Sequence, residues 1–288
     1  MDLIAIDNLR CSYEKPYIEG TSRVVLEIRH LQIGRGQKVF IVGESGIGKS
    51  TILETLGMMN NTIVPDSSTR FVFHEANGVQ TDLCALWHAP DETLSRFRRK
   101  NYSFIFQSTN LMRNFTAFEN VAYTRMLQGY GQKECFEKTR KLLSDLGLNH
   151  IDEMRMTQEL SGGQQQRLAF ARAILPDFTV LFGDEPTGNL DPENAVRVMR
   201  IIAEKVDEQK EASAIIVSHD MHLATSFADV IIKIRKEVRD KQHTDDEDIT
   251  YGVIDDSCVF LPDTNRSKWK RNGESFDTLE FEEYLRKK

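Results

Sequence analysis

Apolar and polar positions along this chain repeat with two periods. Residues 3–9 and 24–28 alternate loosely, the pattern of strands with one face in a core. Lys38-Val39-Phe40-Ile41-Val42, Phe178-Thr179-Val180-Leu181-Phe182 and Ala214-Ile215-Ile216-Val217 are short, nearly continuous apolar runs. Such runs predict strands buried on both faces of a parallel sheet. Residues 71–73 and 102–106 read as further strands, the second ending at Gln107. A helical period covers 50–56 and 118–150, where Leu142, Leu143 and Leu146 share a face and Gly147 supplies the stop. It returns over 164–175 and over 192–206, with Asp191 as cap and Pro192 in the first turn. Strands alternating with helices predict an α/β fold whose sheet is mainly parallel with helical flanks. The strandless stretch between Gln107 and Leu160 predicts a helical subdomain, about 108–165, inserted in that core.

The pattern changes past residue 234. Residues 235–248 are dense in charge and predict a linker or exposed hairpin; strand-like pieces follow at 249–254 and 258–261. Residues 277–285 read as a short helix, with Asp277 capping and Glu280 reciprocating. The expected division is therefore 1–234 for the main domain and 235–288 for an extension that covers a sheet edge. Between 83 and 100 the chain is charged, and the run Arg96-Phe97-Arg98-Arg99-Lys100 reads as a solvated helix face.

Composition narrows the setting. The 288 residues suffice for one large α/β domain with an appendage, and 40% hydrophobic content supplies a sizeable core. With 37 basic and 44 acidic side chains the net charge is −7, which disfavours a nucleic-acid partner. Cys11, Cys84, Cys135 and Cys258 are far apart and predict buried or incidental thiols, neither a disulfide framework nor a metal site. No apolar run reaches the length of a membrane span, and the first residues lack a basic region before a long apolar segment. A cytoplasmic location is expected.

The chemistry centres on Gly43-Glu44-Ser45-Gly46-Ile47-Gly48-Lys49-Ser50-Thr51, which fits G-x-x-x-x-G-K-[ST] at every fixed position. Glycines let successive backbone N–H groups face one anion. Lys49 would reach the β- and γ-phosphates, Ser50 would hold Mg²⁺, and the following helix N-terminus favours phosphate. Downstream, an apolar strand ends in Gly183-Asp184-Glu185. Adjacent carboxylates at a strand's C-terminal end suit Mg²⁺, oriented by Asp184, and an attacking water polarised by Glu185.

Leu160-Ser161-Gly162-Gly163-Gln164 completes the pattern: small residues open a helix, another anion site. With these motifs the chain resembles the ATP-binding-cassette (ABC) ATPases over roughly residues 3–234. The resemblance implies a P-loop NTPase core with an antiparallel β subdomain besides the helical one. It implies that Tyr13 stacks on adenine and that Gln107 touches Mg²⁺ and the attacking water. It further implies that Gly188-Asn189-Leu190-Asp191 crosses to a partner's site and that His219 contacts the γ-phosphate. Ser161, Gly162, Gly163 and Gln164 would face the ATP on a second subunit, giving a head-to-tail dimer with two ATP molecules. The stretches Glu185-Pro186-Thr187-Gly188-Asn189-Leu190-Asp191, Phe104-Ile105-Phe106-Gln107 and 111–121 are most similar to the lipoprotein-release, macrolide-efflux and cell-division branch. That branch implies an ATP-hydrolysing motor on the cytoplasmic face of the inner membrane, gripping separate permease subunits. The alternative is a soluble ABC ATPase acting on a non-membrane partner.

Overall fold

The computed structural model describes residues 2–13, 24–151, 153–188, 190–209, 212–239 and 249–287. In chain order these form β1 (Asp2–Cys11), β2 (Leu26–Gly34), β3 (Lys38–Val42), α1 (Lys49–Leu56), β4 (Arg70–His74), β5 (Gln80–Asp82), α2 (Leu83–Leu86), α3 (Asp91–Asn101) and β6 (Tyr102–Ile105). Helices α4 (Ala117–Met126), α5 (Gln132–Asp145) and α6 (Gly162–Ile174) follow. Then come β7 (Val180–Asp184), α7 (Pro192–Glu208), β8 (Ser213–Val217), α8 (Met221–Phe227) and β9 (Val230–Lys233). The chain closes with β10 (Arg235–Arg239), β11 (Ile249–Ile254), β12 (Val259–Pro262), β13 (Lys268–Arg271), β14 (Glu274–Asp277) and α9 (Thr278–Arg286).

One sheet runs β14-β13-β12-β9-β3-β8-β7-β6. Its strands β9, β3, β8, β7 and β6 are parallel, whereas β12, β13 and β14 join antiparallel. The near-continuous apolar runs are explained by two cores. Val39 and Ile41 of β3 face one, and Phe40 and Val42 the other. Ile215 and Val217 oppose Ala214 and Ile216 in β8 in the same way. A strand with a core on each side has no face left for polar residues. The second sheet, β10-β11-β2-β1-β4-β5, is antiparallel except where β11 runs parallel to β2. It encloses α1 and one core against the first sheet, while α4 to α8 close the other core.

The structure revises some sequence expectations and agrees with others, among them the solvated helix face of the basic run and the hairpin past residue 234. Residues 118–150 form two helices, α4 and α5; α4 starts at a capping box between Thr116 and Glu119. Gly147 follows the end of α5, where the N–H of Leu148 donates to Leu143 O and that of Gly147 to Ser144 O. The basic run lies on α3, where Phe97 is buried against Phe73 and Tyr102 while Arg96 pairs with Glu92 at the surface. Residues 235–239 pair with β11 as a strand, and 240–248 lie outside the described residues. Strand β9 was not anticipated, because four residues between a helix and a charged stretch carry little periodicity. Asp277 is at the start of α9 but makes no side-chain cap bond, so no capping box forms with Glu280. Asp277 also ends β14 opposite Lys268, and its carboxylate lies 3.7 Å from that ammonium.

Candidate nucleotide site

Because β3, β8, β7 and β6 are adjacent and parallel, the segments that leave them emerge along one sheet edge. Ligands of open α/β sheets bind at that edge. The 43–48 loop follows β3, Ser218-His219 follows β8, Glu185 follows β7, and Gln107 lies two residues past β6. The ladder extends into these segments: Ser218 N–H donates to Ile41 O (3.3 Å) and Glu185 N–H to Val217 O (3.1 Å).

The loop is held from beneath. Ile47 is buried among apolar side chains, so its neighbours Gly46 and Gly48 must reverse the backbone, at φ +79° and +105°. A side chain at 48 would also meet Leu26 of β2. Helix α1 begins at Lys49 with no side-chain cap, leaving its first N–H groups available to an anion. Thr51 and Lys49 are buried, whereas Ser45, Gly46 and Ser50 are exposed. Lys49 Nζ donates to Gly43 O (2.9 Å) and Glu44 O (2.7 Å). Burial pushes its pKa below the usual lysine value, against the pull of Glu185 and Asp184. An arriving phosphate would replace the two carbonyls as partner of this ammonium.

Ser50 Oγ donates to Asp184 Oδ2 at 3.4 Å. Burial, reinforced by the charge of Glu185, pushes the Asp184 pKa up. Among the described residues no three His, Cys, Asp or Glu side chains form a metal cluster. A hydroxyl and a carboxylate nevertheless fit a hard divalent cation that takes its other ligands from water and phosphate, as Mg²⁺ does. Glu185 has φ +49°, the left-handed region that a side-chain-bearing residue seldom occupies. Its N–H bond to Val217 and the bond from Gly188 N–H to its own carbonyl (3.1 Å) hold it there. Glu185 Oε1 is 2.7 Å from His219 Nε2, and both line a cavity of about 530 Å³ with Thr187, Ser218 and Asp220. Asp220 caps α8, accepting from Leu223 N–H at 3.0 Å.

Tyr13 is 49% exposed, its hydroxyl bonded to Thr51 Oγ1 (3.1 Å) and Glu54 Oε2 (3.0 Å), which places the ring beside α1. Gln107 is exposed. Ser161 caps α6 in a reciprocal box with Gln164, whose Nε2 lies 2.8 Å from His150 Nε2. Ser161, Gly162 and Gly163 are exposed, and their helix belongs to the helical layer, so their open face points at no described group of the phosphate loop. Asp191 caps α7 through Asn194 N–H (3.0 Å), while Asn189 lies outside the described residues. One contributor escaped the sequence reading: Gly252 of β11, whose backbone lies against Ile47 O under the phosphate loop. An isolated glycine inside a strand pattern was its only signal.

Residues 26–188 match the ABC transporter family. The lipoprotein-releasing system ATP-binding protein LolD 2 of Rhodopseudomonas palustris is 36% identical over 212 residues, 73% of this chain and 85% of that protein. LolD of Myxococcus xanthus is 34% identical over 227 residues, 79% and 94% of the two chains. The macrolide export ATP-binding/permease protein MacB of Neisseria meningitidis is 38% identical over 236 residues, 82% of this chain but 34% of that longer one. Among solved structures, the dimeric ATP-binding cassette MJ0796 in a post-hydrolysis state bound to ADP and Pi superposes with TM-score 0.67. It is 26% identical, and the match covers 80% of this chain and 94% of that one.

Proposed function

The chain belongs to the ABC transporter family and is an ATPase of that type, and from this premise we propose that it is the dimerising motor subunit of a membrane complex. The Glu185–His219 contact of 2.7 Å at the sheet edge beside the phosphate loop carries the catalytic part of the reading. In it, the main-chain N–H groups of 43–48 and Lys49 bind the β- and γ-phosphates, and Tyr13 offers its exposed ring face to the adenine. Ser50 and Asp184, with Gln107, would hold Mg²⁺, which when bound would supply positive charge against the phosphates. Glu185 accepts the proton of a water attacking the γ-phosphorus; the bond to ADP breaks and inorganic phosphate forms. His219 orients Glu185 and contacts the γ-phosphate.

The exposed Ser161-Gly162-Gly163 face supports a head-to-tail dimer, since within one chain these groups have no phosphate to bind. Gln164 holds Ser161 in place through the reciprocal cap. ATP would then join two half-sites, and its hydrolysis would release them. Glu185→Gln should lower turnover about a thousandfold or more while preserving ATP binding. The ATP-loaded variant should elute as a dimer in size-exclusion chromatography. Equal turnover in wild type and variant would defeat this assignment.

A membrane partner is supported by an apolar groove of about 500 Å³ between β6 and α4, lined by Phe104, Phe106, Met112, Tyr123 and Leu127. Among the described residues no helix is long and apolar enough to cross a membrane. In this reading separate permease subunits bring the spans, and the chain docks on their cytoplasmic face. The LolD and MacB relatives favour lipoprotein release or efflux as the work performed. Affinity purification from detergent-solubilised membranes should recover permease subunits with the wild type, and lose them with Leu127→Glu while ATP binding persists. Recovery of only soluble proteins or ribosomes would instead identify a soluble ABC ATPase.

A further inference from the structure

The strands and helix past residue 234 form the far wall of a cavity of about 830 Å³ whose near wall is the nucleotide site itself. Gly43, Glu44, Ser45 and His219 line it from the nucleotide site, and Arg271, Arg286 and Lys287 line it from the C-terminal segment. Lys233, Arg235 and Lys236 complete its cationic lining. His219 and Arg286 also line the cavity that contains Glu185, so the two spaces adjoin. We propose that this cavity is a second phosphate site, built by the C-terminal segment, which receives the inorganic phosphate released by hydrolysis.

The charges support an anion there. Glu44 is the one carboxylate among the lining residues, and Lys236 Nζ stands 3.7 Å from it. The C-terminal end of α9 would repel an anion, but Lys233 Nζ donates to Tyr284 O (2.7 Å) and Lys287 O (2.9 Å) and cancels that dipole end. Arg235 is paired with Asp255 (2.6 Å) and Glu237 (3.1 Å), and Arg271 with Glu274 and the Tyr284 hydroxyl. These two build the wall. Arg286, 61% exposed and 3.6 Å from Glu282, and Lys287 are the cations with reach to spare.

The reaction supplies the ligand. Hydrolysis leaves orthophosphate next to Glu185; once that residue has passed on the proton it accepted, its carboxylate repels the anion, and the adjoining cavity offers compensating cations. An anion passing His219 enters this cavity, because His219 lines both spaces.

The inference rests on the ATPase assignment, and the test separates the two. The phosphate loop of the full-length protein is filled with a non-hydrolysable ATP analogue and Mg²⁺, and inorganic phosphate is titrated calorimetrically. Wild type should bind phosphate. Arg286→Gln/Lys287→Gln should bind it about five- to twentyfold more weakly, as expected for two partly exposed charge contacts. Lys236→Gln, on β10 and beside Glu44 rather than on the terminal helix, should weaken it about two- to fivefold and guards against a loosened terminal helix in the double variant. Absence of phosphate binding in the analogue-loaded wild type, or equal affinity in all three proteins, would overturn the site. ATP turnover without added phosphate, measured on the same preparations, should stay within about twofold. A wild type that binds phosphate without hydrolysing ATP would remove the product role but keep the site.

Discussion

Glu185 and Asp184 are neighbours in sequence but face different physical demands. Glu185 occupies a left-handed backbone conformation, held by bonds to β8 and from Gly188. Such local strain persists where the surroundings over-determine it, as functional sites do. Asp184 is destabilised electrostatically, since burial and the Glu185 charge raise its pKa. A carboxyl whose folded pKa is raised stabilises the fold fully only below its unfolded pKa of 3.8, and that contribution is lost as pH rises through the folded value. At neutral pH the ionised group therefore costs stability. Asp184→Asn should raise the melting temperature of the nucleotide-free protein by about 1–3 °C at pH 7 while abolishing turnover. The gap should narrow as pH falls into the carboxylate range. A lower melting temperature in the variant at pH 7 would mean the site is not under this tension. Asp184 and Glu185 were legible as a motif and His219 through the family resemblance; the 2.7 Å meeting of Glu185 with His219 was not legible, because 34 positions separate them and only sheet order joins them.

At the scale of elements, the phosphate loop is gripped by three strands. It leaves β3, rests Gly48 on Leu26 of β2, and presses Ile47 O against β11. A β-carbon at Gly252 would stand 2.2 Å from that oxygen, 2.9 Å from Ile234 and 3.1 Å from Leu26. Backbone on one side and packed core on the other leave nothing cheap to move. Gly252→Ala should therefore displace the loop, raising KM for ATP about tenfold or more with a smaller effect on kcat. Gly131→Ala, at a helix start where a β-carbon meets nothing, is the matched control and should leave KM unchanged. A KM unaffected by Gly252→Ala would show that β11 does not position the loop. The long apolar strands were readable because both their faces are buried. Four-residue strands were legible only in part: β6 and β12 showed as short apolar pieces, whereas β9, β13 and β14 did not, since so few residues give little period to distinguish strand from turn.

For the whole molecule, residues 259–287 are continuous with the core. Strand β12 pairs with β9, and Trp269 and Phe281, both fully buried, stack at 5.1 Å between ring centroids. Glu282 accepts from Thr225 Oγ1 of α8 at 2.8 Å, tying α9 to the helix that follows His219. Phe281→Ala should cost about 3–5 kcal/mol. Because its cluster shares the core of α6 to α8, denaturant unfolding should remain one transition at a lower midpoint. A separate early transition with an unshifted main one would mark the segment as an independent unit.

By itself the sequence determined the chemistry and the fold class. Phosphate binding, acid–base work and anion-binding helix starts need particular side chains at fixed local spacing, and a strand between two cores must be apolar throughout. Tertiary structure alone decided how the distant pieces meet. The order β3-β8-β7-β6 lines up the loop, Glu185, His219 and Gln107, and the C-terminal strands lie under that loop and wall a basic cavity beside it. Such contacts depend on strand order and close backbone approach between residues as far apart as Ile47 and Gly252. No period within the chain encodes these, because each segment's own pattern is satisfied by any partner that buries the same face.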